Sequence, residues 1–248
     1  MKAVFSMWKN TRMIILTAVC AAIYGSALIA FKTAIPLIPG ITEVRVGNIL
    51  PVPFGLLFGP AGAWGAAIGN LIGDLLGGTL GPGSAGGFAG NFLLAYLPYT
   101  LWTQWVPFHQ KTREWKPGGI GPWGTYFLVT FISAGACAVV IGTVVNALGI
   151  VPYLVLTKII TINNTVAGWI GVLLLRTVFG FIKDGLHLFW PEVLEEEDIG
   201  RPIAGPLGAW VVCLATLFGL FGGYFTTFGP GAIGGLSSLA ILLGCLIL

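Results

Sequence analysis

Charge is what this chain has least of. Only 8% of its 248 residues are Asp, Glu, Lys or Arg, against 56% hydrophobic, where a soluble domain carries about a quarter charged residues. With a mean hydropathy of +0.92, a water-soluble fold would expose large apolar patches. The composition therefore excludes a soluble domain and requires a bilayer. A net charge of +3 is too small to argue for a nucleic-acid partner.

Signatures of catalysis are missing as well. No GxxxxGK[ST] run is present to cradle a nucleotide. The four cysteines, Cys20, Cys137, Cys213 and Cys245, lie singly in apolar runs without a CxxC pair and read as small buried hydrophobes. His109 and His187 are isolated, no HExxH occurs, and no serine has a His and acid pattern around it. Nor is there an inverted repeat with paired broken helices of the kind found in many secondary transporters. No enzyme activity, metal or cofactor is expected.

What is present is a series of apolar runs, at roughly 13–31, 47–58, 61–78, 87–106, 122–146, 165–182, 207–225 and 231–248, separated by Gly and Pro. The basic start, Lys2, Lys9 and Arg12, precedes a run long enough to span, so it reads as a retained first helix rather than a cleaved signal. Segment 47–78 is the ambiguous one, being either a single bent helix or a hairpin turning at Gly59-Pro60. Charge decides between them. With the N-terminus inside, the hairpin places Lys2, Lys9, Arg12, Lys111, Arg113, Lys116, Lys183 and Arg201 inside and only Lys32, Arg45 and Lys158 outside, as the positive-inside rule requires. The expectation is an all-α integral membrane protein of the cell membrane with both termini cytoplasmic. Residues 1–185 would form a six-helix domain, 186–206 an acidic cytoplasmic loop, and 207–248 an appended two-helix hairpin. The first piece of the 47–78 hairpin is too short to cross alone, so its neighbours must shield it.

Polar residues are then few enough to weigh singly. Asn48, Asn91, Asn146, Asn163 and Asn164 fall at span ends on the outer side, and Asn70 lies four residues before Asp74, an acid within a span. Each asparagine alone reads as a helix cap, but five at one face suggest a polar pocket. A carboxylate in a span is a site candidate by default, its alternative being a structural partner such as Arg45. Glu43 and Arg45, in the Pro- and Gly-containing loop 32–48, either orient a charged ligand or form an exposed pair. Tyr96, Tyr153 and Trp169 would serve as aromatic walls or as interface anchors. Two stripes of small residues recur every four positions: Gly65, Gly69, Gly73 and Gly77, and Ala18, Ala22, Ser26 and Ala30. Both allow close helix approach, within the chain or to a partner.

Several of these segments together resemble the substrate-binding S component of energy-coupling-factor (ECF) transporters. The likeness is carried by Ala18-x-x-x-Ala22, Val44-Arg45-x-Gly47-Asn48, the run from Gly55 to Ala63, and the run from Gly69 to Gly77. It is strongest over 12–78 and extends by helix count to about 185. It implies a six-helix domain that captures a small polar, vitamin-like nutrient from outside. A separate transmembrane T component and two ATPase subunits would drive delivery, with the T component docking on Ala18, Ala22 and Ser26 and loop 32–48 gating the pocket. Substrate contacts are expected from Glu43, Arg45, Asn48, Asn70, Asp74, Asn91, Asn163 and Asn164. The two helices of 207–248 depart from the pattern. Alternatives are an ion-coupled carrier using Asp74, or a membrane assembly protein without a ligand.

Overall fold

The computed structural model describes residues 1–31, 36–38, 42–43, 45–116 and 119–248, with the backbone alone at 36–38 and 42–43. Among the described residues, eight longer helices build the body: α1 (Thr11–Phe31), α2 (Pro51–Phe58), α3 (Pro60–Leu76), α4 (Ser84–Gln104), α5 (Ile120–Ala147), α6 (Tyr153–Gly180), α7 (Gly205–Phe221) and α8 (Pro230–Ile247). Five stretches, Thr11–Phe31, Ile120–Ala147, Tyr153–Val193, Gly205–Tyr224 and Pro230–Ile247, are long and apolar enough to cross a bilayer. The protein is an all-α integral membrane protein. In the loop after α1, strands β1 (Pro36–Ile38) and β2 (Thr42–Glu43) pair antiparallel, with Pro36 opposite Glu43.

Helix α1 starts where Asn10 accepts the backbone N–H groups of Arg12 and Met13 at 3.0 and 3.2 Å, satisfying two donors that have no partner within the helix. Its inner residues, among them Met13, Cys20, Tyr24 and Leu28, follow a helical period, while Ile15, Val19 and Ile23 on the other side are exposed. Both faces are apolar because one meets protein and the other meets lipid.

The turn between α2 and α3 falls at Gly59, as the sequence predicts. Its φ of 53° is left-handed, and a Cβ there would stand 2.6 Å from the Trp190 ring, so conformation and space both require glycine. Pro51 and Pro60 occupy the first helical positions, where a missing N–H costs nothing. All eight residues of α2 are buried. At about 12 Å long it cannot span alone, and it lies within the bundle against α3, α4 and α6.

Helix α3 presents its glycine stripe to α1. A Cβ on Gly65 would stand 2.4 Å from the Cys20 Cβ, and Gly69 and Gly73 meet Tyr24 and Leu28. The stripe is thus used for packing within the chain.

One boundary departs from expectation. The sequence places a loop over 147–164, yet α6 begins at Tyr153, twelve residues before the predicted 165. The turn is completed by Gly149, with φ 71°, and by Asn146, whose Oδ1 accepts the Tyr153 N–H at 3.0 Å. Asn146 is therefore a cap. The polar residues of 157–165 resemble a loop in sequence but lie within the helix, with Thr157, Thr161, Asn164 and Thr165 buried and Lys158 exposed.

The final pair, α7 and α8, packs on α5. Thr216 meets Gly135, and Ser237 and Val139 meet Gly219. Tyr153 donates to Gly219 O at 2.9 Å and Tyr96 donates to Cys245 O at 3.2 Å. These two tyrosines secure the appended helices. Trp169 is 41% exposed and donates to Phe127 O at 3.1 Å.

Candidate ligand-binding site

Six elements converge on one buried polar cluster. Asn48, from the 3-10 turn Val46–Ile49, and Asn70 (α3), Asn91 (α4) and Asn164 (α6) are each only 1–3% exposed. An unbonded amide at that depth costs about 1–3 kcal/mol, so their connections decide whether the fold tolerates them. They are connected. Arg45 Nη1 and Asn91 Nδ2 each donate to Asn70 Oδ1 at 3.0 Å, and Asn70 Nδ2 donates to Asp74 Oδ2 at 3.3 Å. Asn91 Nδ2 also donates to Gly87 O at 2.8 Å. Asn48 Nδ2 and Asn164 Oδ1 form a short bond, and Asn164 Nδ2 lies 3.4 Å from Cys137 Sγ on α5.

Tyr24, from α1, joins the halves. Its hydroxyl lies 2.7 Å from both Asn48 Oδ1 and Asn91 Oδ1. One phenol proton serves only one of these oxygens. Amide orientation follows from hydrogen bonding, and turning the Asn48 and Asn164 amides end for end resolves the conflict. Cys137 then donates to Asn164, Asn164 to Asn48, Asn48 to Tyr24, Tyr24 to Asn91, Asn91 to Asn70 and Asn70 to Asp74. Every donor points the same way along the chain, which ends on a carboxylate, the one group in it that only accepts.

Of the residues predicted from sequence, Arg45, Asn48, Asn70, Asp74, Asn91 and Asn164 are brought together. Asp74 reaches Arg45 through the shared Asn70. Asn163 is half-buried beside Asn164, about 100° round the helix. Neither Asn163 nor Asn164 ends a span as predicted; both lie well inside α6. The Glu43 side chain and residues 32–35, 39–41 and 44 of the loop lie outside the described residues. Two members were not anticipated, Tyr24 and Cys137. An aromatic or a thiol within an apolar run carries no signal of its own. Tyr24 becomes notable only by standing on the inner face of α1, opposite the small-residue stripe.

That stripe, Ala18, Ala22 and Ser26, is exposed. Beside it an apolar groove of 930 Å³ runs between α1, α2 and α6, lined by Ile15, Val19, Ile23, Phe54, Leu57 and Val178 among others.

A bundle of membrane-spanning helices that holds directed amide groups fits a small-molecule transport subunit. The chain belongs to the QueT transporter family, whose model matches residues 14–179. The family comprises ECF-type S components described as queuosine precursor transporters. Helices α7 and α8 lie outside the matched segment. No curated protein and no solved structure matches the chain.

Proposed function

We propose that this protein is the substrate-specific subunit of an ATP-driven ECF importer, capturing a queuosine precursor from outside the cell. Delivery inward depends on a separate T component and two ATPase subunits. The carrying observation is the buried network of Tyr24, Arg45, Asn48, Asn70, Asp74, Asn91 and Asn164. Asparagine offers a donor and an acceptor side by side, the pairing that reads the polar edge of a nucleobase-like heterocycle. In this reading Glu43, Arg45 and Asn48 gate or orient the ligand. Asp74, Asn91, Asn163 and Asn164 line the pocket, and Asn70 holds Asp74. The amide end faces outward and the end carrying Lys111, Arg113, Lys116 and Lys183 faces the cytoplasm, in keeping with the positive-inside rule. The exposed face of Ala18, Ala22 and Ser26, with the groove beside it, is where the T component docks.

The test is binding of 7-aminomethyl-7-deazaguanine and 7-cyano-7-deazaguanine, two queuosine precursor bases, to the purified protein in detergent. Saturable binding that weakens at least tenfold in Asn48→Ala and Asp74→Ala is expected. No binding by the wild-type protein would overturn the substrate assignment. A stable Asp74→Ala protein with unaltered binding would remove Asp74 from the site.

A further inference from the structure

Hydroxyls within the spans of this protein follow one habit. Thr17, Thr100, Ser133, Thr143, Thr157 and Thr177 each donate to the backbone carbonyl four residues earlier on the same helix, at 2.6 to 3.1 Å. That is the usual way an apolar environment satisfies a hydroxyl. Five buried hydroxyls break the habit and have no hydrogen-bond partner among the described residues: Thr130, Thr161, Thr165, Thr216 and Ser237.

Three of the five have a packing explanation. Thr130 stands against Gly168, Thr216 against Gly135 and Ser237 against Gly219, each at a close helix crossing. Thr161 and Thr165 stand elsewhere. They flank Asn164 on α6, three residues before it and one after, and are only 8% and 6% exposed. The lipid side of α6 is formed by Ile162, Val166, Trp169 and Ile170, all at least 41% exposed. Thr161 and Thr165 therefore point into the bundle, on the face that delivers Asn164 to the amide network.

We infer that Thr161 and Thr165 are specificity-determining ligand contacts, a pair of hydroxyls that completes the amide site on its α6 side. The inference rests on the reading of this site as a ligand pocket. Residues four apart on a helix have Cβ atoms about 5–6 Å apart. The ligand class is thus a small flat molecule with two hydrogen-bonding groups at about that spacing along one edge, such as a nucleobase-like heterocycle. A hydroxyl both donates and accepts, so this pair tolerates either polarity, while the amides and Asp74 set direction on the opposite edge. A rim lined by asparagine alone would fix both edges.

The experiment compares Thr161→Val and Thr165→Val with the corresponding serine variants, in the full-length protein, using the two deazaguanine bases as probes. Valine keeps the shape and removes the oxygen; serine keeps the oxygen. Both valine variants should bind about five- to tenfold more weakly, with a ligand-free melting temperature equal to or above that of wild type, because an unbonded buried hydroxyl has been removed. The serine variants should bind within about twofold of wild type. Wild-type binding that survives unchanged in both valine variants overturns the inference and leaves the proposed function standing. Equal loss of binding in valine and serine variants, or a lowered melting temperature in the valine variants, shows a structural role and also overturns it. Absence of wild-type binding to either base overturns the proposed substrate and the inference together.

Discussion

The Tyr24 hydroxyl stands 2.7 Å from the Asn48 side-chain amide, joining the first membrane helix to the turn that follows loop 32–48. The same oxygen reaches Asn91 on α4. Helix α1 carries Tyr24 on its inner face and Ala22 and Ser26 on its outer face. A single helix thus touches both the amide network and the surface proposed for the T component. Movement of α1 on docking would act on the network directly.

Replacing Tyr24 by Phe removes the hydroxyl that joins the network's halves. One amide is left facing apolar surroundings, at a cost of about 1–3 kcal/mol. Thermal unfolding in detergent should shift downward by a few degrees, and ligand affinity should fall with it. Tyr96→Phe is the contrast: its hydroxyl serves Cys245 O on α8, so stability should drop with affinity unchanged.

The approach of α1 to α3 leaves no room at Gly65, where a Cβ would stand 2.4 Å from the Cys20 Cβ and 3.2 Å from Thr17 O. Gly65→Val should destabilise the fold by about 1–3 kcal/mol through overpacking. Gly81→Ala, where nothing lies within 4 Å, should stay within about 0.5 kcal/mol of wild type. Equal melting temperatures for the two variants would contradict the described packing.

On the outer face of α1, Ala18→Trp and Ala22→Trp place bulk where a partner helix must come close. Neither position touches the bundle interior. Co-purification with the T component and ATPase subunits should be lost while ligand binding is retained. Unchanged co-purification would exclude this face as the docking surface.

At the opposite end, Glu114 accepts from Lys116 and Lys183, each at 3.0 Å. The hydrogen bond from Lys116, then that from Lys183, holds its carboxyl below the ordinary value of 4.5. A depressed acid contributes stability that is present above its unfolded pKa and lost as pH falls through the folded one. Wild type should therefore be more stable than Glu114→Gln at neutral pH, by a small margin because the group is partly exposed. The difference should vanish as pH drops below 4.5, as followed by melting curves of both proteins across that range.

Much of this fold could be read without coordinates. Apolar run lengths located the helices, and Gly59-Pro60 with the distribution of Lys and Arg identified the fold-back of 47–78. The glycine stripe marked the face of α3 that meets α1. Where the reading failed, it took polarity for a chain break. The polarity of Lys158, Asn163 and Asn164 predicts a loop, yet α6 runs through all three: Asn164 is buried and hydrogen-bonded, and Lys158 is exposed with its ammonium over the Tyr224 ring.

The sequence by itself determined that this is a membrane protein and where most of its apolar helices run, and it singled out a few amides and one acid as candidates for recognition. These follow from transfer energies and backbone sterics, which act locally. Tertiary structure alone decided that Asn48, Asn70, Asn91 and Asn164 share one cluster with Tyr24 and Cys137, and that Asn146 is a cap. Hydrogen bonds between residues up to 116 positions apart depend on which helix faces meet, and helix faces meet through packing summed over the whole bundle.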